Sequence, residues 1–290
     1  MIQRALFAER WYSRVRTVSL DVAAAALGGG ILAVRVTGSA PRPSFYWLLP
    51  AGVWVVYTLD HLIDARQVGP AARTPRHLFH HRNAAPLWTT VIILSVICAV
   101  GGWIGLSTFG VIYAAVMCGL VAAHELIVKL TGDRASPLLV KELGVAAVFT
   151  AGVWGMPWLR HRIDTGRWFG WPVLLMVQYL LLAVANLVEF AIFESKIDTA
   201  HGQTSFVRGI GRHRAAWVVV CVLAIQIPLG IAATAINPTR VVIAAEIIYA
   251  VMTAGLWIVL KTPRWSARFE RYRSLGDGVF LLPLLMAIVF

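Results

Sequence analysis

Charge is scarce in this chain. Only 14% of its 290 residues are Asp, Glu, Lys or Arg, against about a quarter in soluble domains. Acids are the scarcest class, with 14 Asp and Glu against 26 Lys and Arg. So little charge cannot solvate the surface of an ordinary water-soluble fold, and that class is excluded. Cysteine is also rare. Cys98, Cys118 and Cys221 all lie in apolar segments, none at C-x-x-C spacing, so neither a disulfide framework nor a cysteine zinc site is indicated. Low-complexity tracts are missing, and so is any polar stretch long enough for a soluble domain.

What is abundant is apolar length. Hydrophobic residues make up 59% of the chain, and mean hydropathy is +0.73. Windows of about 20 apolar residues, the length that spans a bilayer, occur near 18–36, 45–63, 87–105, 107–128, 138–159, 168–193, 215–236, 240–260 and 277–290. The expected fold is therefore an all-α integral membrane protein, with about nine transmembrane helices bundled around a central cavity as one domain over 1–290. The first window exceeds the roughly 7–15 residues of a signal-peptide core and reads as a retained helix. Segment 1–17, with Trp11 and Tyr12, reads as an interfacial helix.

The net charge of +12 follows topology and gives no reason to expect nucleic acid. If the N-terminus is cytoplasmic, most Lys and Arg fall on cytoplasmic segments. Only Arg35, Arg42, Arg160, Arg162, Arg167 and Arg240 fall opposite, while Lys141 lies within a helix. That bias obeys the positive-inside rule, and most of these cations serve topology and lipid headgroups. A multi-pass protein of a bacterial inner membrane is expected.

Two carboxylate pairs break the apolar pattern at the cytoplasmic ends of helices. Asp60 and Asp64 close the second window, and Glu194 and Asp198 close the sixth. Acids four apart share a helical face and repel unless something positive lies between them. Acids at membrane depth usually face a cavity. A divalent cation answers both, and Mg²⁺ favours a few carboxylates with water and phosphate oxygens. The plainer alternative is four solvated helix-end acids paired with Arg66, Lys196 or other neighbours.

In these motifs the chain resembles the UbiA superfamily of intramembrane prenyltransferases. That family has nine transmembrane helices, N-D-x-x-D-x-x-x-D after the second and D-x-x-Y-A-x-x-D-x-x-x-D after the sixth. Here "VYTLDHLID" keeps the last two acids as Asp60 and Asp64, with Val56 and Tyr57 at the Asn and first-acid positions. "LVEFAIFESKID" keeps Phe190-Ala191, Glu194 and Asp198, with Leu187 at the leading acid and Asn186 and Glu189 beside it. "HGQTS", "GVWGMP" and Lys129 are similar to other family landmarks. The resemblance implies Mg²⁺ on Asp60, Asp64, Glu194 and Asp198, the catalytic acids. It also implies a prenyl diphosphate contacted by Tyr57, Arg66, Arg76, Lys129, Asn186 and Lys196, and a lipophilic acceptor within membrane lipid. The absent leading acids leave open one Mg²⁺ in place of two, a changed substrate, or no transfer.

Three other readings stand beside prenyl transfer. One is terpene cyclisation or diphosphate removal at the same site. The second is a non-catalytic transporter or assembly factor that keeps the fold. The third is a membrane di-iron oxygenase, prompted by the H-x-x-H-H box "HLFHH" at His77, His80 and His81. Membrane oxygenases need several such boxes, and the other histidines (His61, His124, His161, His201 and His213) form none. An interfacial basic loop is the plainer account of the box. Asp21, Glu125, Lys141, Glu142, Gln178, Glu246 and Asp277 also interrupt apolar runs, and partners across helices are expected for them.

Overall fold

The computed structural model describes residues 15–68, 75–131, 140–200 and 206–289; at 67–68, 75–77, 131, 140 and 196–200 it describes the backbone alone. The expected interfacial segment 1–17 thus lies outside the described residues except for 15–17, as does "HGQTS" at 201–205.

Among the described residues every regular element is a helix, joined by short links such as 38–44, 106–107, 166–170 and 237–239. The first half comprises α1 (Leu20–Thr37), α2 (Phe45–Val68), the short α3 (Pro75–Arg82), α4 (Ala84–Gly105), α5 (Thr108–Thr131) and α6 (Val140–Thr165). The second comprises α7 (Trp171–Ala200), α8 (Phe206–Ile210), α9 (Arg212–Ala224), α10 (Gln226–Ile236), α11 (Arg240–Lys261), α12 (Pro263–Ser266), α13 (Arg271–Val279) and α14 (Met286–Val289). Among the described residues six spans, counting α9 and α10 as one, are long and apolar enough to cross a membrane, and a bent pair, Arg268–Val279 with Leu282–Val289, makes a seventh if it is one span. Helices α2 and α6 have 24 and 26 residues, enough to cross as well. Their acids and cations dilute the apolar signal.

Helix α1 is the hub. It packs on α2, α6, α11, α13 and the turn Leu282–Leu285. Its Ala- and Gly-rich sequence removes the bulk that would hold those neighbours away. A Cβ at Gly29 would stand 2.6 Å from the Tyr179 hydroxyl of α7, so only glycine allows that approach. The helix ends at Gly38, whose φ of 64° places it in the left-handed region that stops helices. Helix α7 packs on α6, α9, α10, α11 and α13. Tyr179, Leu182 and Val188 of α7 join Leu32, Trp154 and Tyr249 in the shared apolar core.

By contrast α4 and α5 lie at the edge. Ile92, Ile97, Trp103, Ile112 and Leu120 are exposed on them. So broad an apolar surface suits lipid contact, not water. Some of the interior polar residues find partners on other helices, while Asp21 accepts only from its own helix and both oxygens of buried Glu189 have no hydrogen-bond partner among the described residues. Gln178 of α7 donates to Glu246 of α11 at 2.9 Å, and Glu142 of α6 accepts the Phe206 backbone N–H at 3.1 Å.

The last window departs from expectation. Helix begins at Arg271, not near 277, and bends by 40° before Leu282. Pro283, in the 3-10 turn Leu282–Leu285, lacks the N–H a continuous α-helix needs. This shift carries four polar residues of α13 into the bundle.

Candidate functional site

The start of α1 lies against the last turns of α2. Trp54 Nε1 donates to the Val18 carbonyl at 2.8 Å, and Ser19 Oγ lies 3.2 Å from His61 Nδ1. This contact brings Asp21 beside the first acidic motif. Asp21 is only 2% exposed. Its Oδ1 accepts the Val22 N–H at 3.0 Å, and its Oδ2 has no hydrogen-bond partner among the described residues. On α2, Tyr57, Asp60 and Asp64 follow one another at roughly one-turn spacing, each half-buried. Asp60, Asp21 and Asp277 all lie within electrostatic range of the Tyr57 hydroxyl.

Helix α13 joins this group to the second motif. Glu194 on α7 accepts hydrogen bonds at Oε1 from the Tyr272 hydroxyl at 2.8 Å and from Arg273 Nε at 2.5 Å. Arg273 Nη2 pairs with the same oxygen. The surrounding aromatics hold these groups in place. Phe193 stacks on Tyr272 with centroids 4.6 Å apart, and Arg273 lies 5.0 Å over the Phe190 ring. One turn along α13, Asp277 accepts from Asn186 Nδ2 at 3.4 Å. Gly276 makes this possible, because a Cβ there would fall 2.1 Å from Asn186 Oδ1. Arg16 completes the frame, pairing with Glu270 at 2.5 Å and donating to Ser274 at 3.3 Å.

The residues expected from sequence are distributed as follows. Asn186 and Glu194 of α7 both touch α13, Tyr57 of α2 lies within electrostatic range of Asp277 on α13, and Asp60 and Asp64 continue the Tyr57 side of α2 toward its end. Arg66 is exposed in the last turn of α2. Lys129 is exposed on α5, which packs on α4 and α6; neither carries a member of this cluster. The side chains of Arg76, Lys196 and Asp198 lie outside the described residues. Asp21 and Asp277 were visible only as polar interruptions, and Tyr272 and Arg273 were missed. Their one sequence signal was the four-residue step from Arg273 to Asp277, which keeps both on one helical face.

The histidine box divides. His80 is fully buried, its ring 5.0 Å from that of His61 in an edge-on contact, while His81 is exposed. His80 therefore packs α3 onto α2. Among the described residues, no three His, Cys, Asp or Glu side chains are placed to share a metal ion. Asp60 and Asp64 remain hard oxygen donors one turn apart, a pair that suits one Mg²⁺ completed by phosphate and water. Glu194 as it stands does not suit a metal at Oε1, which Arg273 and Tyr272 already occupy.

With this geometry in view, the likeness to known proteins is one of fold. No sequence-family model and no curated protein matches the chain. Among solved structures, the apo structure of a UbiA homolog from Aeropyrum pernix K1 superposes with a TM-score of 0.67 at 16% identity. The match covers 93% of this chain and 98% of that one. The chain has the fold of that UbiA homolog, a multi-pass all-helical membrane architecture.

Proposed function

From the UbiA-homolog fold as premise, we propose that this chain is an intramembrane prenyltransferase of the UbiA superfamily, moving an isoprenyl group from a prenyl diphosphate to a lipophilic acceptor. The observation that supports the reading is the tie between the second degenerate motif and α13, a helix whose Asp277 lies within electrostatic range of Tyr57 in the first. Tyr57 of the first stands near Asp277, and Glu194 of the second is bound to Arg273 and Tyr272. In this reading the motif end of the bundle faces the cytoplasm, where the basic residues gather.

Mg²⁺ held by Asp60 and Asp64, with Asp198 as the further acid that the resemblance implies, would neutralise charge on the departing diphosphate. The chain's own cations do the rest. Arg273, aimed by Glu194, presents a fixed guanidinium in a site with little water, where preorganised charge acts most strongly. Arg66, Arg76 and Lys196 would meet the diphosphate where it arrives from the aqueous side. Lys129, exposed on α5, is left a role only if substrate reaches that helix. Tyr57, Phe190, Phe193 and Tyr272 would face the allylic carbon as it gains positive character, shielding it from water through their π-faces. The prenyl tail would lie along apolar helix walls toward lipid.

A second reading, a non-catalytic protein that keeps the fold, draws on the internal pairing of Glu194 with Arg273. The two separate in a titration of the full chain, in lipid nanodiscs, with a geranylgeranyl thiodiphosphate and Mg²⁺. Prenyl transfer requires saturable, Mg²⁺-dependent binding that is lost in Asp60→Asn and Asp64→Asn. Absence of binding, or binding indifferent to both substitutions, supports the non-catalytic reading.

A further inference from the structure

Neither acidic motif contains Asp21, Asn186 or Asp277, yet these three meet at the inner end of the polar centre. Asn186 bridges α7 to Asp277 on α13, and Asp21 of α1 stands within electrostatic range of Asp277. Arg16 and Arg273 are also near, but each is matched to a glutamate, Glu270 and Glu194 respectively. The two aspartate carboxyls are thus left without a cation of their own. Within this trio two buried acceptor atoms have no hydrogen-bond partner among the described residues: Oδ2 of Asp21, whose residue is 2% exposed, and Oδ1 of Asn186, whose residue is 6% exposed. Leaving such atoms unpaired is costly in an apolar interior. A ligand that relieves the cost must bring donors, not further acceptors.

We propose that Asp21, Asn186 and Asp277 form the subsite for the head group of the second substrate. That group is a hydrogen-bond donor, an alcohol, phenol or amine, and not a carboxylate. The assignment rests on the prenyl-transfer reading for the words "second substrate"; the donor selectivity stands on the three side chains alone. The polar centre then has two chemically opposite halves. Arg273 and the metal-binding acids handle the diphosphate. Asp21 and Asp277 disfavour an acceptor that carries its own anion, because a carboxylate brings no donor to these acceptor oxygens and repels whichever of them is ionised.

The test uses three lipophilic probes with one common tail: para-nonylphenol, para-nonylbenzylammonium and para-nonylbenzoate. Each is titrated calorimetrically into the full chain in nanodiscs, with empty nanodiscs subtracted. The phenol and the ammonium should saturate one site per chain and bind at least about tenfold more tightly than the benzoate, the scale of one hydrogen bond to a charged group. Asp21→Asn and Asp277→Asn should each weaken the ammonium by about tenfold. Benzoate binding as tightly as phenol overturns the proposal. So does failure of all three probes to saturate, or full ammonium affinity in both variants. If the variants do not fold, the ranking on the unmodified chain decides. The thiodiphosphate titration separates the two readings: its failure with the donor ranking intact removes prenyl transfer but keeps the subsite.

Discussion

Arg273 and Glu194 are 79 positions apart in sequence, yet guanidinium and carboxylate meet through two nitrogens on one oxygen. Both side chains are mostly buried, at 17% and 20% exposure. The pair ties α13 to the motif helix α7, and everything proposed for the site depends on that tie.

Breaking it should therefore cost stability. Arg273→Ala leaves Glu194 charged in a largely dry setting, with a loss of about 3–5 kcal/mol expected for a severed buried pair. The double substitution Arg273→Met with Glu194→Gln should recover much of that loss, since no lone charge remains. Thermal unfolding in one fixed detergent checks both. Equal destabilisation by single and double variants would mean that the charges do not act as a pair.

Gly276 is expected to tolerate nothing larger. Gly276→Ala forces a methyl into the Asn186 amide and should lower stability by about 1–3 kcal/mol, the usual cost of overpacking. Shortening the opposing side chain with Asn186→Ser should return part of it. The same thermal assay reads the rescue, and its absence would place the strain elsewhere.

Asp64 should matter to ligand and not to fold. Asp64→Asn is expected to weaken binding of Mg²⁺ with a prenyl diphosphate by about 1.5–3 kcal/mol, roughly ten- to a hundredfold. Stability without ligand should hold or rise slightly, because a like-charge neighbour of Asp60 is removed. A large loss of ligand-free stability with unchanged diphosphate affinity would make Asp64 a structural residue.

His80→Ala should behave in the opposite way. The ring is wholly buried against His61, so its removal leaves a cavity and should cost about 2–4 kcal/mol, as large-to-small core changes do. Purified protein should carry no stoichiometric iron by metal analysis. Two irons per chain would return the oxygenase reading.

Much of the fold was legible because membrane spans are written as apolar length, a local property. The windows near 18–36, 87–105 and 240–260 correspond to α1, α4 and α11 within a few residues. Even α2 was readable through its acids, since Leu62 and Ala65 continue the apolar face past Asp60. The final span was misplaced for a physical reason. Arg271 and Arg273 look like solvated cations until a counter-charge is known, and that of Arg273 lies on a distant helix. Asp277 and Asn186 posed the same problem, at 91 positions apart. A residue's own spacing shows which face it occupies, but not what faces it.

The central claim is that α2, α7 and α13 build one site for a prenyl diphosphate. The most direct measurement is an experimental structure of the full chain with Mg²⁺ and a geranylgeranyl thiodiphosphate. The expected result is diphosphate density between Asp60 and Asp64 on one side and Arg273 on the other, with the prenyl chain running toward lipid past Phe190. Diphosphate bound away from α13, or a polar centre unchanged at saturating ligand, would contradict it.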